Sequence, residues 1–330
     1  MKSTLSRRSL LAASAALLAS GAVFAQHYPS RTVSLMVPYP AGGVSDVIAR
    51  SLNTVLGKHL GQPVIVENLG GASGGIAAQK VLRAPADGYT IFQGGPNELI
   101  LAPLSNNALR YRSEDFRLVQ LISSSPLAMF ARKDLPASSG DELAAYARKA
   151  AASGKPLTFA SVGVGSLYHV LGEQLSKKLG VPMTHVAYKG IAPAQQDLMV
   201  GSVDIFISPY GQSQVQLLEE GRLKVVTTLS AERQEMLKNY PSVNESVALK
   251  DFVFSTWSGY FVHKDTPEPV VQSLHKALSE VANDAGVRAA LEAQAMIVPR
   301  PQPLAALDRF YGESITRYRA IAQGINLQTQ

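Results

Sequence analysis

Two strand-to-helix junctions gather the glycines, hydroxyls and polar side chains best suited to holding a ligand. The first is Val37-Pro38-Tyr39-Pro40-Ala41-Gly42-Gly43-Val44-Ser45-Asp46. An apolar strand end, a proline and glycine turn, and then Ser45-Asp46 predict a helix starting here with one of those two side chains near its cap. The unpaired N–H groups of a helix start carry partial positive charge, so they hold a carboxylate or phosphate without Arg or Lys. Glycine lets an anion approach the backbone closely. An ordinary capped turn satisfies the same spacing. The second junction, Ala160-Ser161-Val162-Gly163-Val164-Gly165-Ser166-Leu167-Tyr168-His169, repeats the pattern with Ser166 as the capping hydroxyl. His169, in the first helical turn, is either a ligand contact or a structural hydrogen-bonding group.

Other chemistries fit these residues less well. Ser166 and His169 share a helix face, and Asp197 and Asp204 are available, so a secreted hydrolase is the alternative from another class. The G-x-S-x-G nucleophile elbow is missing, because Tyr168 stands where its second glycine would fall. Gly163, Gly165 and Tyr168 lack the third glycine of a dinucleotide loop, and Gly70 to Gly75 lacks the Lys-Ser/Thr of a phosphate loop. His27, His59, His169, His185, His263 and His275 show no paired ligand spacing, so neither a metal nor a cofactor is expected. The absence of cysteine excludes disulfides, thiol catalysis and a lipid-modified cysteine anchor. The formal net charge is +6, of which Lys2, Arg7 and Arg8 at the extreme N-terminus contribute three, leaving +3 on the rest. With the remaining Lys and Arg scattered among acids, nucleic acid is not an expected partner.

The elements that must position these junctions read as an α/β protein with mainly parallel sheets. Strands are expected at Thr32 to Val37, Val64 to Glu67, Thr90 to Gln93, Leu157 to Ala160, Thr184 to Ala187, Val203 to Ile207 and Lys224 to Leu229. Between them, Ile48, Leu52, Val55, Leu56 and Leu60 form one helical stripe, and Leu167, Leu171, Leu175 and Leu179 another. A chain of 330 residues exceeds one ordinary core, so two domains are expected. The apolar runs Leu127 to Arg132 and Trp257 to Val262, each followed by charge and proline, read as crossings between them. This gives a discontinuous first domain, 26–132 plus 255–330, a second domain, 133–254, and a hinged cleft.

Residues 1–25 read as a signal peptide. Lys2, Arg7 and Arg8 precede an apolar run from Leu10 to Phe24, and Val23-Phe24-Ala25 predicts cleavage after Ala25. The run is shorter than the roughly 20 apolar residues that span a bilayer. Ser6-Arg7-Arg8-Ser9-Leu10-Leu11 partly matches a twin-arginine signal, so the Sec and twin-arginine routes both stay open. The expected location is the periplasm.

The segments Pro38 to Arg50, Leu60-Gly61-Gln62-Pro63-Val64 through Glu67-Asn68, and Ala86-Asp87-Gly88-Tyr89-Thr90 closely resemble the Bug (TctC-like) family, the solute-binding proteins of tripartite tricarboxylate transporters. Gly163 to His169, Tyr188-Lys189-Gly190 with Pro193-Ala194, Asp197-Leu198 with Gly201, Val203-Asp204, and Trp257 with Thr266-Pro267 extend the match in order along the chain. Each motif alone is weak; their ordered combination is specific. The resemblance implies a two-domain periplasmic binding protein of type II, a Venus flytrap closing on an organic acid. That acid is expected to be a di- or tricarboxylate, or an aromatic acid, held largely by backbone amides, hydroxyls and water. The implied ligand-binding residues are Tyr39, Ala41, Gly42, Gly43, Val44, Ser45 and Asp46 in the first loop. The second loop contributes Ser161, Gly163, Gly165, Ser166 and His169, joined by Tyr188, Gly190, Ala192, Ser208, Pro96 and Asn97. Ala41 departs from the family's frequent second proline, Val44 from its Ser or Thr, and Ser208-Pro209-Tyr210 from an acid or amide. A less polar pocket is expected. Implied partners are membrane transporter subunits, or a receptor kinase if the protein presents ligand to a sensor, and a monomer is expected.

Overall fold

Repeated strand–helix–strand units build both halves of the molecule. The structure is a computed structural model describing residues 28–323, and the signal peptide expected at residues 1–25 lies outside them. The first half opens with β1 (Val33–Val37), α1 (Val44–Leu60), β2 (Val64–Asn68), α2 (Gly75–Arg83) and β3 (Thr90–Gly94). A π-helical turn at Asn97–Leu101 and the short α3 (Ala102–Ser105) lead to β4 (Phe116–Arg132). The middle of the chain forms α4 (Gly140–Ala152), β5 (Thr158–Ser161), α5 (Leu167–Leu179), β6 (Thr184–Ala187), α6 (Ile191–Val200), β7 (Ile205–Pro209), α7 (Gln212–Glu219) and β8 (Leu223–Thr228). β9 (Ser255–His263), α8 (Glu268–Asn283), α9 (Ala285–Glu292) and α10 (Leu304–Gln323) close it.

The strands run in the order β2-β1-β3-β9-β4-β7-β5-β6, with β8 also on β4. Pairing is parallel inside each unit, β1 with β2 and β3, and β5 with β6 and β7. Helical crossovers require that arrangement. β4 and β9 add antiparallel pairs, so the sheet as a whole is mixed. The seven expected strands form within two residues of their anticipated ends.

One strand joins the two halves. β4 is 17 residues long; Phe116 to Pro126 pair with β9, whereas Leu127 to Arg132 pair with β7 and β8. The sheet therefore divides at Pro126, ahead of the Arg132 boundary read from sequence. Trp257 to Val262 is no crossing, since all of β9 pairs within the first half and the chain returns before it.

α1 buries Ile48, Leu52, Leu56 and Leu60 and stops at Gly61, whose φ of 69° is the left-handed conformation that ends a helix with least strain for glycine. One core gathers Leu35, Ile91 and Val262 with α1 and α8. A second runs unbroken from Phe92 and Leu99 to Phe130, Phe159 and Phe206, across both halves. Each such side chain contributes about 1.5–3 kcal/mol when fully buried. α10 adds a further tie: Tyr318 donates to Ser255 O at 2.9 Å, while Gln174 of α5 donates to Ile321 O at 2.9 Å.

Candidate functional site

At the end of β1 the chain turns through Gly42, whose φ is +81°. Asp46 turns back from the first turn of α1, accepting from Gly42 N at 2.8 Å and from Arg50 Nε at 3.0 and 2.9 Å. Burial pushes its carboxyl up, but the bonds from Arg50 and Gly42 outweigh burial and hold it below the ordinary range. Asp46 is 3% exposed, so its charge is spent inside the protein. The expected cap is corrected here: the N-cap is Gly43, in extended conformation, and neither Ser45 nor Asp46 caps the helix. The reason is register, since Val44 already has helical geometry and Ser45 and Asp46 fall inside the first turn. Gln93 of β3 donates to Ser45 O at 2.9 Å, and Tyr260 donates to Gln93 Oε1 at 3.3 Å, which fixes this turn on the sheet.

The turn opens into a cavity of about 600 Å³ between the two halves. Tyr39, Ala41, Gly42, Gly43, Val44 and Ser45 line it from the first half, together with Pro96 and Asn97. Gly190 and Ala192, at the start of α6, line it from the second. Val44, Val162, Tyr168, Ile191, Trp257 and Met296 make much of the wall apolar. Lys189 is the only Lys or Arg and Glu98 the only acid among the lining residues. Burial pushes the Glu98 carboxyl up, towards its neutral form, although Gly95 N donates to it at 2.7 Å.

The second junction is built differently from the expectation. Ser166 is the N-cap of α5, but it is fully buried and its Oγ accepts from His169 N at 3.3 Å. Leu167 N donates to Asn97 Oδ1 at 2.6 Å, and Gly165 N donates to His169 Nδ1 at 3.0 Å. Residues from the first half and from α5 itself thus occupy this helix start. Ser161 Oγ meets His185 Nε2 at 2.6 Å, and a Cβ on Gly163 would come within 3.1 Å of Ser73 Oγ. Tyr188 donates to Asp197 at 2.8 Å, and Ser208 is buried on β7 with its hydroxyl unpaired. None of Asp46, Ser161, Gly163, Gly165, Ser166, His169, Tyr188 and Ser208 lines the cavity. Ser166 and His169 are not coupled as nucleophile and base either, because the serine oxygen receives a backbone amide and His169 Nδ1 another.

Apart from Tyr168 of α5, the second half presents the starts of α6 and α7, after Gly190 and Gly211. Gly211-Gln212 follows β7 as Gly43-Val44 follows β1, so a strand–glycine–helix signal was present. Gln195, Gln214 and Gln294 carried none, since glutamine is ordinarily a surface residue. No cluster of metal-ligating side chains occurs among the described residues, and no described helix is long and apolar enough to cross a membrane.

The profile of the tripartite tricarboxylate transporter family receptor (TctC) matches residues 48–327. A protein from the TAR-I ttuE-ttuC' intergenic region of Agrobacterium vitis is 36% identical over 258 residues, 78% of this chain and 73% of the relative. MatC (Rpa3494) from Rhodopseudomonas palustris with bound malate superposes with a TM-score of 0.80 at 32% identity, covering 89% of this chain and 99% of that one. Rpa4515 of R. palustris with adipate gives 0.81 at 29% identity, covering 90% and 97%.

Proposed function

This chain belongs to the tripartite tricarboxylate transporter receptor family, and on that premise we propose that it captures a small organic acid in the periplasm and delivers it to a membrane transporter. The observation that carries the reading is the start of α1. Val44 and Ser45 bring first-turn amides and a hydroxyl to the cavity, while Asp46, the acid of that same turn, is neutralised by Arg50. That leaves a carboxylate facing the positive end of a 17-residue helix without competition. The relatives' malate and adipate indicate acids of the di- and tricarboxylate size range, and the apolar wall admits aromatic ones.

The halves on either side of Pro126 act as the two domains of a flytrap, and the ligand contacts both. Export through the signal peptide, with cleavage after Ala25, places the mature chain where such a receptor works. Binding without covalent chemistry accounts for the site, and neither cofactor nor metal is needed.

Titration calorimetry against aliphatic di- and tricarboxylates and aromatic acids tests this. At least one acid should bind, and a saturating concentration of it should raise the melting temperature. Gly43→Val places a side chain over the α1 amides in a backbone conformation any residue adopts, with only a 3.4 Å contact at Cβ to Pro40 O. It should weaken binding at least tenfold while the protein stays folded. Failure of every acid to bind, or an unimpaired Gly43→Val, overturns the proposal.

A further inference from the structure

The part of the cavity wall contributed by α6 and α7 carries an unfinished hydrogen-bond chain. Gln195 on α6 and Gln214 on α7 are 7% and 2% exposed, and both line the cavity. Gln195 Nε2 donates to Ser213 Oγ at 3.5 Å, and Ser213 Oγ donates to Gln214 Oε1 at 2.9 Å. Among the described residues nothing donates to Gln195 Oε1 and nothing accepts from Gln214 Nε2. Neither glutamine has an atom that is both sealed from solvent and unpaired, so their free ends are open to the cavity.

The polarity of this chain is kept when both amides are turned together. Ser213 spends its single hydroxyl proton on Gln214 and accepts from Gln195, so one glutamine donates to it and the other accepts from it. If both amides are reversed, the free ends become Gln195 Nε2 and Gln214 Oε1. In either case one free end donates and the other accepts.

We infer that this wall selects a carboxamide, so that the ligand is an acid with a carboxylate at one end and an uncharged amide at the other. The inference rests on the carboxylate reading of the α1 start. A carboxamide has a donor and an acceptor on two separate atoms, the complement of the two glutamine ends. An ionised carboxylate only accepts, and would set an oxygen against the accepting glutamine in a largely apolar enclosure. Lys189, the one cation at the wall, is exposed at the entrance to α6 and is not part of the chain.

Calorimetry with adipate and its monoamide, and with succinate and its monoamide, tests this on the full mature chain. The better monoamide should bind at least tenfold more tightly than the diacid of its length. Gln214→Leu should abolish that preference, and Gln195→Leu serves as the second variant should the first not fold. Gly43→Val should weaken diacid and monoamide alike. Equal or tighter binding of the diacids by the unaltered protein, or a preference that survives both leucine variants, overturns the carboxamide assignment and leaves the carboxylate reading intact. If no acid in either form binds, or Gly43→Val changes nothing, the carboxylate reading itself fails.

Discussion

His169 and His185 stack with ring centroids 3.9 Å apart, where α5 meets β6. Burial, and then the neighbouring His169, hold the His185 imidazolium down to about 4, and burial lowers His169 as well. Both rings are therefore neutral in the folded protein near neutral pH, as hydrogen-bond partners of Ser161 and Gly165 rather than ligand contacts. The consequence for stability has a definite sign. Between the ordinary histidine value of 6.5 and about 4, the unfolded chain takes up a proton at His185 that the folded chain does not, so stability falls as pH falls through that window. Carboxylates held low, such as Glu245 at about 2 beside Arg233, add their own loss only below the ordinary carboxyl value of 4.5. Glu98, pushed up by burial, protonates first in the folded protein and works the other way, so the variant isolates the effect: melting temperature should fall less between pH 6.5 and 4.5 in His185→Gln than in the wild type. A His185→Gln profile parallel to that of the wild type would remove the effect. At this scale the sequence named the right residue types and left the role of His169 open; the stack with His185 decides it, and two positions 16 apart in sequence announce no such contact.

The start of α5 shows why one junction was legible and its twin was not. Both follow a strand and a glycine turn, and both have a hydroxyl near the cap. What separates them is the neighbour from the other half: Asn97 fills the α5 start, Ser73 donates to Val164 O at 3.2 Å, and a Cβ on Gly165 would overlap Ser105. Such long-range partners leave no trace in local pattern. The α1 junction was readable because its turn is completed locally by Asp46 and Arg50. β4 was half read for a related reason: Ser123-Ser124-Ser125-Pro126 breaks its apolar run, and only the Leu127 to Arg132 portion keeps a strand pattern. Because the Asn97 bond spans the two halves, its loss should act on closure as well as stability. Asn97→Ala removes a contact of about 0.5–1.5 kcal/mol, and X-ray scattering of the ligand-free protein should give a larger radius of gyration than the wild type. An unchanged radius would mean that the bond is only local.

Across the whole molecule, β4 and α10 both pass from one half to the other, and the shared apolar core continues between them. On the flytrap reading proposed above, opening bends the chain about Pro126 and the return near residue 254, with α10 limiting its extent. What the two halves enclose is nearly free of net charge, with Lys189 the single cation on the wall and Glu98 shifted towards neutrality. On the binding mode proposed above, attraction at such a site comes from oriented amides in contact with the ligand, not from a field extending into solution. Raising salt from about 0.1 M to about 1 M shortens the screening length from about 10 Å to about 3 Å. Contacts made within hydrogen-bond reach lie inside even the shorter length, so affinity for the best acid should fall by less than about threefold, or about 0.65 kcal/mol. A tenfold loss would mean that Lys189 and the surface charges carry the binding instead. A receptor that grips by oriented amides keeps its hold on scarce ligand whether the surrounding water is fresh or saline.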